Sequence, residues 1–126
     1  MEQPGESMSS GTPCRTLWHG TTRKRAESIL RDGPNARFLE PGGFEKAGGF
    51  STAPPHGPYP YGDPRNVAAG KAALFPNEGG PAILEIEVPE AIIASAIIEL
   101  GEVRFESGFG LGELCQTWPT LRKRIL

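Results

Sequence analysis

Leu17-Trp18-His19-Gly20-Thr21-Thr22 decides the reading of this chain, together with Arg23-Lys24-Arg25-Ala26-Glu27-Ser28-Ile29-Leu30, which follows it directly. An apolar pair runs into a histidine and a glycine, and two threonines then open an amphipathic stretch. The order reads as a short strand, a sharp polar edge and a helix start. Threonine favours the N-cap because its side-chain oxygen accepts a helix N–H that otherwise lacks a partner. Gly20 has no Cβ, so a ligand can approach the main chain closely there. A strand ending in His-Gly-Thr with outward-facing amides can hold a planar amide by main-chain hydrogen bonds, with His19 as a polar tip beside it. The plainer alternative is a strand histidine that is simply hydrogen-bonded.

Working outward, Arg15–His19 is expected to form the first strand and Thr22–Arg31 a helix with Ala26, Ile29 and Leu30 on one face. Gly33-Pro34 stops that helix. Its first turn carries Arg23, Lys24 and Arg25 against the positive end of the helix dipole, either as a solvated face or as a site for an anionic ligand. Ala36–Leu39 reads as a short strand and Pro41-Gly42-Gly43 as a turn. Gly48-Gly49-Phe50-Ser51-Thr52-Ala53 reads as a Gly-led strand with an aromatic and two hydroxyls. It runs into the proline-rich loop Pro54–Pro64, which holds His56, Tyr59 and Tyr61 and cannot join a central sheet. Loops of this kind tend to be lids or binding loops.

Asn66–Phe75 is expected to be a small-residue helix. Ala82–Val88 (AILEIEV) alternates with period 2, the pattern of a half-buried strand. Pro89-Glu90 starts a turn or short helical piece leading to Ala94–Leu100, and Gly101 breaks the chain. Glu102–Glu106 alternates again, with Val103 and Phe105 on one face and Glu102, Arg104 and Glu106 on the other. Leu111, Leu114, Cys115 and Trp118 then recur at i, i+3, i+4 and i+7, one face of a helix. That spacing places Cys115 in the core and Glu113 on the solvated side. A basic end, Arg122-Lys123-Arg124, closes the chain. The pattern is α+β, short strands mixed with a few short helices, in a single domain over residues 14–126 behind a disordered tail, residues 1–13.

Composition sets the outer bounds. The 126 residues include 17 glycines and 13 prolines, so ordered elements must be short. A net charge of -2 gives no general argument for nucleic acid or a membrane surface. The two cysteines, Cys14 and Cys115, lack metal-ligand spacing, and no metal is expected. No stretch approaches the ~20 apolar residues of a membrane span, so a soluble, cytoplasmic protein is expected.

Three signals thus stand in order: His-Gly-Thr on the first strand, Gly-Gly-Phe-Ser-Thr before a helix, and Gly101-Glu102 entering a late strand. This order resembles the ADP-ribosyltransferase superfamily over about Leu17 to Phe105. The resemblance implies a split β-sheet with NAD, as substrate, in the cleft, and cleavage of the nicotinamide–ribose bond. ADP-ribose would pass to an acceptor that the sequence does not name (protein, nucleic acid or small molecule) or to water. Carried over residue by residue, His19 resembles the family's histidine that holds the adenine-side ribose, with Thr21 beside it. Gly20 resembles the residue whose main chain clamps the nicotinamide carboxamide. Phe50-Ser51-Thr52 aligns with the second motif, where polymerase-like members have tyrosine in place of Ser51. Phe50, Tyr59 or Tyr61 would then supply the aromatic face, and Glu102 would be the catalytic glutamate.

The chemistry asks for these residue types on its own account. A carboxylate near the sugar 2′-hydroxyl stabilises the positive charge that develops on the ribose as nicotinamide leaves. The sugar must also be held at both ends to keep nucleophile and anomeric carbon aligned. Glu102 and Glu106 also read as ordinary solvent-face strand carboxylates, and Ser51 and Thr52 as ordinary strand and turn residues. Two alternatives accompany the transferase reading. One is an NAD-dependent RNA 2′-phosphotransferase, a related branch with a His-Gly-Thr segment and a basic helical N-terminal domain. The other is a degenerate module that binds NAD, ADP-ribose or a protein without turnover. The resemblance alone suggests a bacterial toxin or phage-defence role.

Overall fold

The alternation in Ala82–Val88 forms a strand paired along its whole length. In the computed structural model, which describes residues 13–34, 49–52, 55, 63–99 and 101–126, this strand is β3 (Pro81–Pro89). It lies antiparallel to β1 (Cys14–Thr22) through nine residue pairs. Period 2 buries Ala82, Leu84, Ile86 and Val88 on one face and leaves Glu85 and Glu87 on the other. Leu17, His19 and Thr21 face the same core opposite Ile86, Leu84 and Ala82. The first strand is therefore longer than Arg15–His19. It runs on through Gly20, Thr21 and Thr22 because Ile83, Ala82 and Pro81 continue the ladder opposite them. The polar edge read at His-Gly-Thr lies inside a strand.

The other described elements are α1 (Arg23–Asp32), β2 (Gly49–Ser51), α2 (Pro64–Leu74), α3 (Glu90–Ile93), β4 (Ile97–Glu99), β5 (Glu102–Arg104), α4 (Leu111–Thr117) and β6 (Lys123–Ile125). A 3-10 turn, Trp118–Thr120, joins the last two. The strands form one open antiparallel sheet in the order β4-β5-β2-β1-β3-β6, so the fold is mixed α+β. The sheet is unevenly joined. Among the described residues β1 meets β2 at a single pair, Trp18↔Ser51.

One sheet face carries the core, where Leu17, Phe50, Leu84, Ile86, Val103 and Phe105 pack with Leu114 and Trp118. Each such side chain contributes about 1.5–3 kcal/mol on burial. The opposite face is covered in part by α2, which Asp63 caps and Pro64 opens. A Cβ on Gly20 would stand 2.1 Å from the Pro64 carbonyl oxygen and 2.9 Å from the Ala68 nitrogen. The helix backbone thus sits directly on the glycine. Helix packing alone requires this residue, whatever else it does.

The start and stop of α1 follow the sequence, with Thr22 accepting from the Arg25 N–H and Gly33 at φ 90° past the end. The main chain of its basic first turn is engaged by the segment before β3. The Arg23 and Lys24 amides donate to the carbonyls of Gly80 and Glu78. Arg25 is buried, ion-paired to Glu78 at 2.8 Å, with its guanidinium 4.0 Å above the Phe75 ring. Cys115 also departs from expectation. It is exposed, and its thiol donates to the Pro34 carbonyl at 3.0 Å. α4 is only seven residues long and tightens into the 3-10 turn, so Leu114 and Trp118 point inward and Cys115 does not. Neither cysteine is in a disulfide. The basic end forms β6, pairing Lys123 and Ile125 with Ile86 and Leu84.

The expected tail (but for Pro13), the strand at 36–39, the turn at 41–43 and nearly all of the loop at 54–64, with Tyr59 and Tyr61, lie outside the described residues. No helix among the described residues is long and apolar enough to cross a membrane.

Candidate functional site

Register places a row of side chains across all six strands on the sheet face away from the core. From one edge to the other it runs Arg124, Glu85, Trp18, Ser51, Glu102, Glu99, each opposite the next. Antiparallel partners share a face, so these groups are neighbours by construction. The Trp18 indole donates to Glu85 at 3.0 Å, and Arg124 donates to the other oxygen of Glu85 at 2.8 Å. Ser51 and Glu102 lie in the middle of the row, beside the single pair that joins β1 to β2.

Glu102 opens β5 directly after Gly101, whose φ of +79° supplies the turn that a side chain would strain. Thr52 fixes that turn from the adjacent strand. Its amide and its hydroxyl both donate to the Gly101 carbonyl at 2.8 Å. Ser51-Thr52 and Gly101-Glu102, read separately in the sequence, are thus physically joined. The Glu102 side chain is 50% exposed.

Arg104, two residues on and on the same face, binds three carboxylates. It donates to Glu99 at 2.8 Å, to Glu106 at 3.2 Å and to Glu102 at 3.5 Å. Hydrogen bonds to Glu99 and then Glu106 hold its guanidinium still more firmly protonated than an ordinary arginine. Glu102 has the longest of the three contacts, and Glu106, two residues past the strand, shares the same guanidinium. Glu113 is exposed in the first turn of α4.

His19 and Phe50 point the other way. His19 is 7% exposed, and its ring centroid lies 5.3 Å from that of Phe50, which in turn meets Phe105 edge-on. Phe50 is 1% exposed, so its ring belongs to the core. His19 Nδ1 donates to the Gly49 carbonyl at 2.6 Å. A carbonyl can only accept, so Nδ1 carries a proton. Thr21 is buried on the same side.

The structure therefore brings Ser51 and Glu102 together on the open face and groups His19, Thr21 and Phe50 on the core face. Gly20 is pressed under α2, and Tyr61 lies outside the described residues. Sequence reasoning passed over Trp18 as an apolar strand residue and gave no part to Gly49 or Arg104. The Arg104 cluster was within reach, since alternation already put it on the face of Glu102 and Glu106. No group of three or more metal-ligating side chains occurs among the described residues. No family model, curated protein or solved structure matches this chain.

Proposed function

We propose that this protein is an ADP-ribosyltransferase or NAD glycohydrolase in which Glu102 is the catalytic carboxylate. The observation that carries the reading is the pairing of Ser51 with Glu102 at the point where, among the described residues, the sheet narrows to one joining pair. A sheet divided into β4-β5-β2 and β1-β3-β6 halves fits the split sheet of that superfamily. A half-exposed carboxylate beside a serine is also a donor and acceptor set suited to sugar hydroxyls.

NAD, when bound, supplies the nicotinamide–ribose bond that is cleaved. Glu102 accepts a hydrogen bond from a sugar hydroxyl and opposes the positive charge that develops as that bond lengthens. Ser51, opposite it, orients the same sugar and so reduces the alignment cost of the reaction.

The test is nicotinamide release by the purified protein. Glu102→Gln is expected to keep NAD binding and to lower turnover by ~10²–10³-fold, about 2.7–4 kcal/mol. Glu106→Gln is expected to leave most of the activity. If Glu106→Gln is the inactive variant, the carboxylate has been misassigned. One observation favours a second reading, an NAD- or ADP-ribose-binding module without turnover: Arg104 stands 3.5 Å from Glu102 and offsets part of its charge. Saturable NAD binding with no nicotinamide release selects that reading.

A further inference from the structure

The open-face pair and the core-face histidine have one residue in common. The Gly49 carbonyl accepts from His19 Nδ1 at 2.6 Å. On its other side, a Cβ added to Gly49 would stand 3.1 Å from Glu102 Oε2 and 3.7 Å from its carboxyl carbon, the only atoms of the described residues that it would meet within 4 Å. The Glu102 carboxylate therefore lies over the bare Cα of Gly49. Glu102 belongs opposite Ser51 by register, and Gly49 belongs opposite Arg104. The carboxylate thus leans diagonally onto β2, into the register row of Arg104, which meets its other oxygen at 3.5 Å and makes shorter contacts with Glu99 and Glu106.

We infer that Gly49 is the positioning residue of this site: its missing side chain is the seat of the Glu102 carboxylate, and its carbonyl fixes the His19 ring. The catalytic meaning rests on the ADP-ribosyl-transfer reading; the seat itself does not. Gly49 is not among the glycines with positive φ, so its backbone does not itself demand glycine. The empty space above Cα does. A methyl group there pushes the carboxylate aside by a few tenths of an ångström while leaving the strand conformation intact. A carboxylate that acts through charge and direction is sensitive to such a displacement, whereas ligand affinity drawn from the rest of the site is not.

The experiment has two arms. In the unaltered protein, NMR is expected to show NOEs between the Gly49 Hα protons and the Glu102 Hγ protons; their absence overturns the seat directly, with no reference to activity. In the second arm, Gly49→Ala is expected to lower kcat by roughly threefold to tenfold with KM little changed, and Gly49→Val to lower it further. Gly112→Ala serves as control, since a Cβ there meets nothing within 4 Å. In the double variant with Glu102→Asp, whose shorter side chain withdraws from the seat, Gly49→Ala is expected to have no further effect. Full additivity of the two changes overturns the inference. If the wild-type protein releases no nicotinamide, the transferase reading falls, and the NOEs still decide whether Gly49 seats the carboxylate. The NOEs also decide the matter if Gly49→Ala fails to fold.

Discussion

Gly20 and Gly49 sit in neighbouring strands, and each is glycine for a different neighbour. At Gly20 the neighbour is backbone, the Pro64 carbonyl 2.1 Å from where a Cβ would be. Backbone cannot rotate away as a side-chain tip can, so Gly20→Ala must lift the start of α2 from the sheet. A destabilisation of about 3 kcal/mol is expected, the upper part of the range for overpacking, measurable by urea unfolding. A loss below about 0.5 kcal/mol would mean that α2 rides loosely on the sheet. At Gly49 the neighbour is the flexible end of Glu102, and the same substitution acts on geometry far more than on stability. The sequence alone did not separate these two roles, because both depend on chain segments distant from the glycine.

Among the elements, α1 and the turn before β3 are joined by a compact polar knot. Glu78 accepts from Arg25 and from the Thr22 hydroxyl, both at 2.8 Å. The hydrogen bond from Arg25 holds the Glu78 carboxyl below the usual range, opposed by burial and aided by Thr22. A depressed carboxylate pKa contributes stability that is present at neutral pH and is lost as pH falls from about 4.3, the ordinary glutamate value, through the lower folded value. Glu78→Gln is expected to cost about 1–3 kcal/mol at pH 7. Its deficit relative to wild type should shrink on acidification through that window; a deficit constant with pH would mean that charge plays no part. Element boundaries show what could be read from the chain. The caps of α1 and the alternation of β3 are local signals and stand as expected. The end of β1 and the existence of β6 are not local. Thr21 and Thr22 are in a strand because Ala82 and Pro81 pair with them, and Arg122-Lys123-Arg124 hides an edge strand because charged residues are what such an edge accommodates.

At the scale of the whole molecule, among the described residues nine pairs join β1 to β3 and one joins β1 to β2. Beside that pair, His19 Nδ1 donates to the Gly49 carbonyl, so a side chain spans the same two strands. The two sheet halves should therefore open with different free energies. Amide hydrogen exchange is expected to be slowest at the buried centre of β1 and β3, around Leu17 and Ile86, and faster in β2, β4 and β5. Uniform protection across all six strands would contradict a sheet that is divided at its middle. The candidate site was legible in part for the same reason. Ser51, Glu102 and His19 could each be picked out by residue type, but that they lie on two faces of a sheet and meet through Gly49 is a property of register.

The two tryptophans of this chain report on two different places. Trp118 is 3% exposed, with its indole N–H donated to the Leu30 carbonyl and the Lys123 ammonium 5.4 Å from its ring. Trp18 is only half-buried, hydrogen-bonded to Glu85 in the row that contains Ser51 and Glu102. Emission from the first should be blue-shifted and inert to acrylamide, and emission from the second redder and open to quenching. A molecule settling over the open face would shield one fluorophore and leave the other untouched, so the protein carries its own optical gauge of occupancy, calibrated by an internal standard in its core.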